Sequence, residues 1–455
     1  MQVILYGLLL VFEPMAYTPD QIITFLPRLQ QASHCYVGYS GGLDSHVLLH
    51  SVVEILGEEN VIAIHVNHQL SPNADAWQQH CQQVCREQGV TLISETVQVE
   101  TAGQGLEAAA RDARYQVFER YLDDGGLILL AHHADDQAET VLYRLLRGSG
   151  PLGLSGIPIS RPLGHGELLR PLLRFTRQEL QDYALSTGLS WIEDESNEQL
   201  EYDRNYIRHQ VIPNLADRWP DYTSRIATSA ALCRDNEQLV DELASQDLMT
   251  VGERSERLGW SICIDSFQGF DSLRQGNLLR YWLAQHDIPR PGHQVMTALR
   301  EELLPARNDG SPQITWGGAQ LRRYQHRLYL LPIQPGLPET DEPFFWDVSE
   351  PLVLPDKSAL FSRVATGEGL SHPDDALLEV RFRRGGERCR PQGRQGSNNL
   401  KILFQEYGLE PWLRDRVPLI YLHGELVAVA DLWVCEGFSA TPGQEGVTIN
   451  WSYPE

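Results

Sequence analysis

Ser40-Gly41-Gly42-Leu43-Asp44-Ser45 stands between an apolar run that reads as a strand, Cys35-Tyr36-Val37-Gly38-Tyr39, and a run of helical periodicity, His46 to Leu56. Aromatic and β-branched residues carry the strand reading, while Val47, Leu48, Val52 and Ile55 recur at helical spacing. A sharp strand-to-helix turn must join the two. Gly41 and Gly42 let the backbone bend and leave room for a ligand against it. The open N–H groups of the helix start, with Ser40 and Ser45, make an anion cradle whose expected guest is a phosphate group. Asp44 would repel a bare phosphate, so a Mg²⁺ ion shared between its carboxylate and phosphate oxygens is expected. The plainer alternative is a glycine turn capped by Ser and Asp. A Walker loop is excluded, because the chain's lysines are Lys357 and Lys401 and neither is near.

The six residues resemble the PP-loop, S-G-G-x-D-S, of ATP pyrophosphatases. The resemblance implies that ATP is split to AMP and pyrophosphate while a substrate oxygen is adenylated. Ser40, Gly41, Gly42, Leu43, Asp44 and Ser45 would hold the nucleotide, with Asp44 reaching Mg²⁺ through the pyrophosphate.

Downstream, Val61 to His68 reads as a buried strand, Trp77 to Glu87 as a helix, Thr91 to Val99 as a strand, Gly105 to Leu122 as a helix and Leu127 to Ala131 as a strand. Strands alternating with helices at this spacing predict an α/β fold, a doubly wound parallel sheet with its ligand at the strands' carboxyl ends. His132-His133-Ala134-Asp135-Asp136-Gln137-Ala138-Glu139-Thr140 follows such an end. Asp135 is placed to cap the next helix. On that helix Asp136, Glu139, Thr140, Tyr143 and Arg147 form one stripe, expected to face outward. Ala138, Val141, Leu142 and Leu145 form the other, expected to face the sheet. The polar stripe is either a solvated face or part of a substrate site. The histidine pair lacks a third His or Cys at zinc spacing. Cys81 and Cys85 share a helix face and read as buried thiols.

At 455 residues, 42% hydrophobic and 22% charged, the chain has room for two or three soluble domains. No run reaches membrane-span length, and residues 4–12 lack the flanks of a signal peptide. Residues 1–16 are expected to be an extension, disordered or misassigned, with Met15 as initiator. Seven scattered cysteines fit a cytoplasmic protein. The net charge of −24 argues against a nucleic-acid binder unless a local basic surface exists. One does: between Arg381 and Arg416 nine basic residues (Arg381, Arg383, Arg384, Arg388, Arg390, Arg394, Lys401, Arg414, Arg416) face four acidic ones. Trp412 beside them could stack on a base or belong to a core. Pro332 to Pro343 reads as a linker.

The ordered set S-G-G-L-D-S, H-V-N-H, E-A-A-A-R-D-A-R-Y (Glu107 to Tyr115), A-H-H-A-D-D-Q-A-E-T, R-P-L-L (Arg170 to Leu173), D-E-S-N and R-N-Y-I-R resembles the tRNA(Ile)-lysidine synthetase family. R-C-R-P-Q-G-R and L-K-I-L-F-Q-E resemble its C-terminal domain. The resemblance implies a catalytic domain at 17–217, a mainly helical middle domain at 218–331, a linker at 332–346 and a small α+β tRNA-binding domain at 347–455. It implies a ligase that uses ATP and Mg²⁺ to adenylate O2 of the wobble cytidine of a CAU-anticodon tRNA(Ile). Free L-lysine is then attached at C2, so that the tRNA reads AUA. Asp136 and Glu139 would bind the lysine ammonium and one would take its proton. Arg204 or Arg208 would steady the cytidine or the adenylate's phosphate. Arg111 and Arg114 would touch phosphate or RNA backbone, and Arg381, Arg383, Arg384, Arg388, Arg390, Arg394 and Lys401 would bind the tRNA. No membrane is involved, and a homodimer stays an option.

A base-thiolating PP-loop enzyme would carry paired cysteines or an iron–sulfur site, and no C-x-x-C is present. An amide synthetase would need a glutaminase portion. A nucleotide-binding module without catalysis leaves Asp44, Asp136 and Glu139 unexplained. A small basic surface on an acidic chain predicts that tRNA affinity falls steeply as salt is raised, checked by filter binding across a salt series.

Overall fold

The computed structural model describes residues 16–99, 105–193, 203–289, 291–305, 312–337, 342–371 and 377–454. The D-E-S-N motif and residues 1–15 of the expected extension lie outside them. The described chain forms two compact units, 1–239 and 240–455.

In the first unit a short helix α1 (Leu26–Gln31) leads into β1 (Cys35–Gly38), α2 (Leu43–Leu56), β2 (Ile62–Asn67), α3 (Ala74–Glu87), β3 (Thr91–Thr96), α4 (Leu106–Tyr121), β4 (Leu127–Leu129) and α5 (Ala134–Leu146). After α6 (Pro151–Leu154) come β5 (Ser160–Leu163), β6 (Gly166–Leu169) and α7 (Arg177–Thr187). The sheet order is β3-β2-β1-β4-β6-β5, parallel throughout except β5. The doubly wound sheet is therefore present. The β5–β6 hairpin is an addition that the sequence reading passed over, because its charged and proline residues hide the strand pattern.

Alternation along each strand explains the layering. Val37, Ala63 and Leu129 point to one core with Leu48, Val84 and Leu180 from α2, α3 and α7. Tyr36, Ile64 and Ile128 point to the opposite core with Phe118 and Leu122 at the end of α4. Full burial of side chains such as Leu48 contributes about 1.5–3 kcal/mol each. Strand order reverses at β1 and β4, so the crevice at their carboxyl ends is the topological switch point. The PP-loop leaves β1 there, and His132-His133 leave β4 there.

The chain then runs through α8 (Asp203–Tyr206), π-helical turns over Ile207–Val211, α9 (Ile212–Arg218) and the long α10 (Tyr222–Val251). The second unit carries, besides helices such as Ser272–Gln285, a five-stranded sheet within residues 254–332. A second five-stranded sheet includes Phe344–Trp346 and Leu419–Leu422, and a three-stranded one includes Ala359–Thr366 and Glu445–Ser452. Phe344–Trp346 pairs with Leu378–Arg381, so the end of the expected linker is a strand. Trp412 packs edge-on against Tyr324 and Tyr329, half-buried against the core of this unit. Cys389 and Cys435 form a disulfide that the scattered spacing did not announce, and the remaining five cysteines are free.

Gly41 adopts φ +85°, and a Cβ there would lie 2.8 Å from Ile192 Cδ1 and 2.9 Å from Cys81 Sγ. Gly41→Ala should therefore lower stability by about 1–3 kcal/mol, measured by urea denaturation.

Candidate functional site at the switch point

The PP-loop is held from within. Ser40 N–H donates to Ser45 Oγ at 3.2 Å, and Ser45 Oγ donates to Gly42 O at 3.0 Å. It is also held from outside, where Ile192 N–H donates to Gly41 O at 3.0 Å. Gly42 is the N-cap of α2, so the amides of the first turn have no acceptor inside the helix. Asp44, in that turn, has Oδ2 at 3.6 Å from His133 Nε2, and its buried Oδ1 has no partner.

Across the crevice α5 begins with a cap that the sequence assigned to the wrong residue. His133, not Asp135, is the N-cap: its N–H donates to Asp136 Oδ2 at 3.1 Å and its Nδ1 accepts from Asp136 N–H at 3.4 Å. Asp135 instead accepts from Arg177 N–H at 2.8 Å and from Tyr222 Oη at 2.7 Å, tying α7 and α10 to the start of α5. The expected outward stripe is also corrected. Glu139 is 1% exposed and Leu145 is 55% exposed. Glu139 faces inward because two arginines meet it: Arg204 Nε at 2.9 Å on Oε2, and Arg208 Nε at 2.6 Å on Oε1 with a further Nη2 bond at 2.9 Å. Arg204 Nη2 reaches Asp136 Oδ1 at 3.0 Å as well.

Burial would push His133 down, yet Asp136, Asp44 and Asp135 outweigh it and raise the imidazole to about 9. Burial would raise Asp136, but His133, Arg204 and His132 hold it well below the usual carboxylate range. Arg208 is raised, with Glu139 and Asp136 outweighing its burial. The site is thus a charge-balanced set of acids and cations, able to hold a cation beside Asp136 and an anion at the helix start. Among the described residues no cluster of three or more His, Cys, Asp or Glu has metal-site geometry. Cys81 and Cys85 are buried, and burial pushes both thiols to about 12. No helix among the described residues is long and apolar enough to cross a membrane.

Models of known families match three stretches: a PP-loop domain over residues 16–215, a TilS substrate binding domain over 263–329 and a TilS substrate C-terminal domain over 378–451. The tRNA(Ile)-lysidine synthase of Coxiella burnetii is 38% identical over 447 residues, covering 96% of this chain and 98% of that protein. That of Serratia proteamaculans is 40% identical over 425 residues, covering 92% and 95%. The chain belongs to the tRNA(Ile)-lysidine synthase family. A synthase of this family uses ATP through its PP-loop domain, and the middle stretch, matched here at 263–329, had only its place in the order to mark it in the sequence.

Of the residues expected to act in this synthase, Asp44, Asp136, Glu139, Arg204 and Arg208 come together at one crevice. Arg111 and Arg114 lie on α4, on the second face of the sheet, with Arg111 donating to Tyr115 Oη at 3.1 Å. Far along the chain the basic count shrinks. Arg381 pairs with Glu379, Arg383 with Asp415, Arg394 with Glu406 and Arg416 with Asp356. Arg388, Arg390 and Lys401 stay exposed. The sequence reading weighed His133 only as half of a candidate zinc pair and missed its capping role, although its place directly after a strand and three residues before Asp136 was a usable capping signal.

His132 faces the other way. Burial, Arg170, Arg114 and Arg111 push it from 6.5 to about 3. Between those values the unfolded chain takes up a proton that the folded one refuses, so stability rises with pH across that window and falls on acidification. His132→Gln should lose less stability than the wild type when urea midpoints are compared at pH 7 and pH 5.

Proposed function

We propose that the chain converts the wobble cytidine of a CAU-anticodon tRNA(Ile) to lysidine, using ATP, Mg²⁺ and free L-lysine in the cytoplasm. The observation that carries the proposal is the meeting of Asp44, on the PP-loop, with Asp136, Glu139, Arg204 and Arg208 at one switch point. C2 of cytosine is a poor electrophile. Adenylation of O2 makes AMP the leaving group, and the lysine ε-amine then displaces it at C2.

The PP-loop amides and Ser40 hold the phosphates. The unpartnered, buried Oδ1 of Asp44 fits a cation ligand. Mg²⁺ bound there would offset charge on the departing pyrophosphate. The attacking amine must be neutral, and deprotonating it at pH 7 costs about 4–5 kcal/mol from a pKa of about 10.4. Asp136 and Glu139 hold the ammonium and one accepts its proton. Asp136 is the more open of the two, its side chain 15% exposed against 1% for Glu139. Arg204 and Arg208, fixed by Glu139, steady the cytidine or the adenylate's phosphate. Arg111 and Arg114 serve RNA phosphate or backbone.

An anticodon loop suits a site that needs an unstacked base. Exposed Arg388, Arg390 and Lys401, with Arg381, Arg383, Arg384 and Arg394, form the tRNA surface of the C-terminal stretch. The test is incorporation of radiolabelled lysine into bulk tRNA with ATP and Mg²⁺. Wild type should give label in an RNase-sensitive product, and Asp44→Asn should lower the rate by about 10²-fold or more. AMP and pyrophosphate released without label would retain the PP-loop reading and reject lysine as the acceptor.

A further inference from the structure

A cluster of opposite sign lies next to the acids. Arg111 and Arg161 bring their guanidinium carbons to 4.8 and 4.9 Å from the centroid of one ring, Tyr115. Arg170 hydrogen-bonds the same tyrosine, is 2% exposed, donates to Pro158 O at 2.7 Å and has a buried Nε without a partner. Among the described residues, the hydrogen-bond acceptors of Arg111, Arg161 and Arg170 are carbonyl and phenol oxygens, and none is a carboxylate. Arg111, Arg170 and Arg114 outweigh burial and draw the Tyr115 phenol below its usual range, as a local positive field requires. Holding buried Arg170 beside half-buried Arg161 costs free energy that a bound anion offsets.

The cluster's place is specific. Tyr115 and Arg111 lie on α4, Arg161 on β5, and Arg170 directly after β6. His132 borders this cluster and also feels Asp136, while its neighbour His133 meets Asp44 and Asp136. The acids and the arginines therefore flank the same dipeptide at the end of β4. A free amino acid with a side-chain amine carries that same pair of charges, an ammonium at one end and an α-carboxylate at the other. Arg204 and Arg208, paired with Asp136 and Glu139, already serve the cytidine or the adenylate's phosphate in that reading, which leaves the carboxylate to other cations. Arg161, half-buried beside exposed Arg111, is open to a small carboxylate.

We propose that Arg161, with Arg170 and Tyr115 behind it, is the subsite for the α-carboxylate of the amino acid whose ammonium lies at Asp136. The inference rests on the lysine-transfer reading above. It gives the enzyme a means of rejecting amines that lack the carboxylate.

The test measures KM for lysine, KM for tRNA and Ki for cadaverine, which is lysine without its carboxylate, in wild type, Arg161→Ala and Arg161→Lys. In Arg161→Ala the lysine KM should rise at least about tenfold, as for loss of one charge-assisted bond. The tRNA KM and the cadaverine Ki should stay within about twofold. Arg161→Lys, which retains the charge without the fork, should fall between and carries the test if the alanine variant does not fold. An unmoved lysine KM, a cadaverine Ki that rises in step with it, or a rise in tRNA KM alone each overturns the subsite; the last would make the cluster an RNA phosphate site. Wild type that transfers no lysine would overturn the underlying reading as well, whereas transfer with unmoved lysine KM overturns this inference alone.

Discussion

Four carboxylates, Asp44, Asp135, Asp136 and Glu139, crowd the carboxyl ends of two adjacent strands, and their mutual repulsion has to be answered before any substrate arrives. The answer comes from His133 beneath three of them and from Arg204 and Arg208 across Glu139 and Asp136. A 1%-exposed glutamate without those arginines would leave a charge buried at a cost of several kcal/mol. The same pairing that makes the site tolerable also holds its groups fixed, as binding a cationic amine and a phosphate demands.

This constraint ties together elements far apart in the chain. Asp135 anchors α7 through the Arg177 amide and α10 through Tyr222, and Arg234 on α10 donates to Ser155 O and Ile157 O. The segment after α7 returns to close the PP-loop through Ile192. The π-helical turns begin at Ile207, between Arg204 and Arg208, and carry Arg208 itself, so the irregular backbone coincides with the place where both guanidinium groups must converge on one carboxylate. Local departures from regular structure are thus concentrated where the charges are.

The sign of the field changes over a short distance. His133 sits among acids and is raised, whereas His132 is lowered to about 3 by burial and then by the arginines around it. Two neighbouring histidines of equal intrinsic chemistry are driven apart by which way β4 turns each side chain. A bipolar crevice of this kind suits a bipolar ligand. On the second unit the same pairing logic works against function: acids neutralise four of the arginines in the basic stretch, so the exposed positive surface is smaller than its composition indicates.

Period and punctuation in the sequence were enough to determine the alternating strands and helices, the glycine turn after β1 and the position of both motifs at strand ends. Each is a local property, set by side-chain alternation and by the φ freedom of residues such as Gly41. The β5–β6 hairpin, the disulfide and the packing of Trp412 against two tyrosines depended on partners distant in the chain, which no local pattern records. The clearest case is Glu139. On its own helix it belongs to a polar stripe and ought to face water, and only the arrival of Arg204 and Arg208, 65 and 69 residues later, makes its burial favourable. Residue type and order chose the chemistry; the three-dimensional meeting of charges decided which groups are buried, which are ionised and which remain open to a ligand.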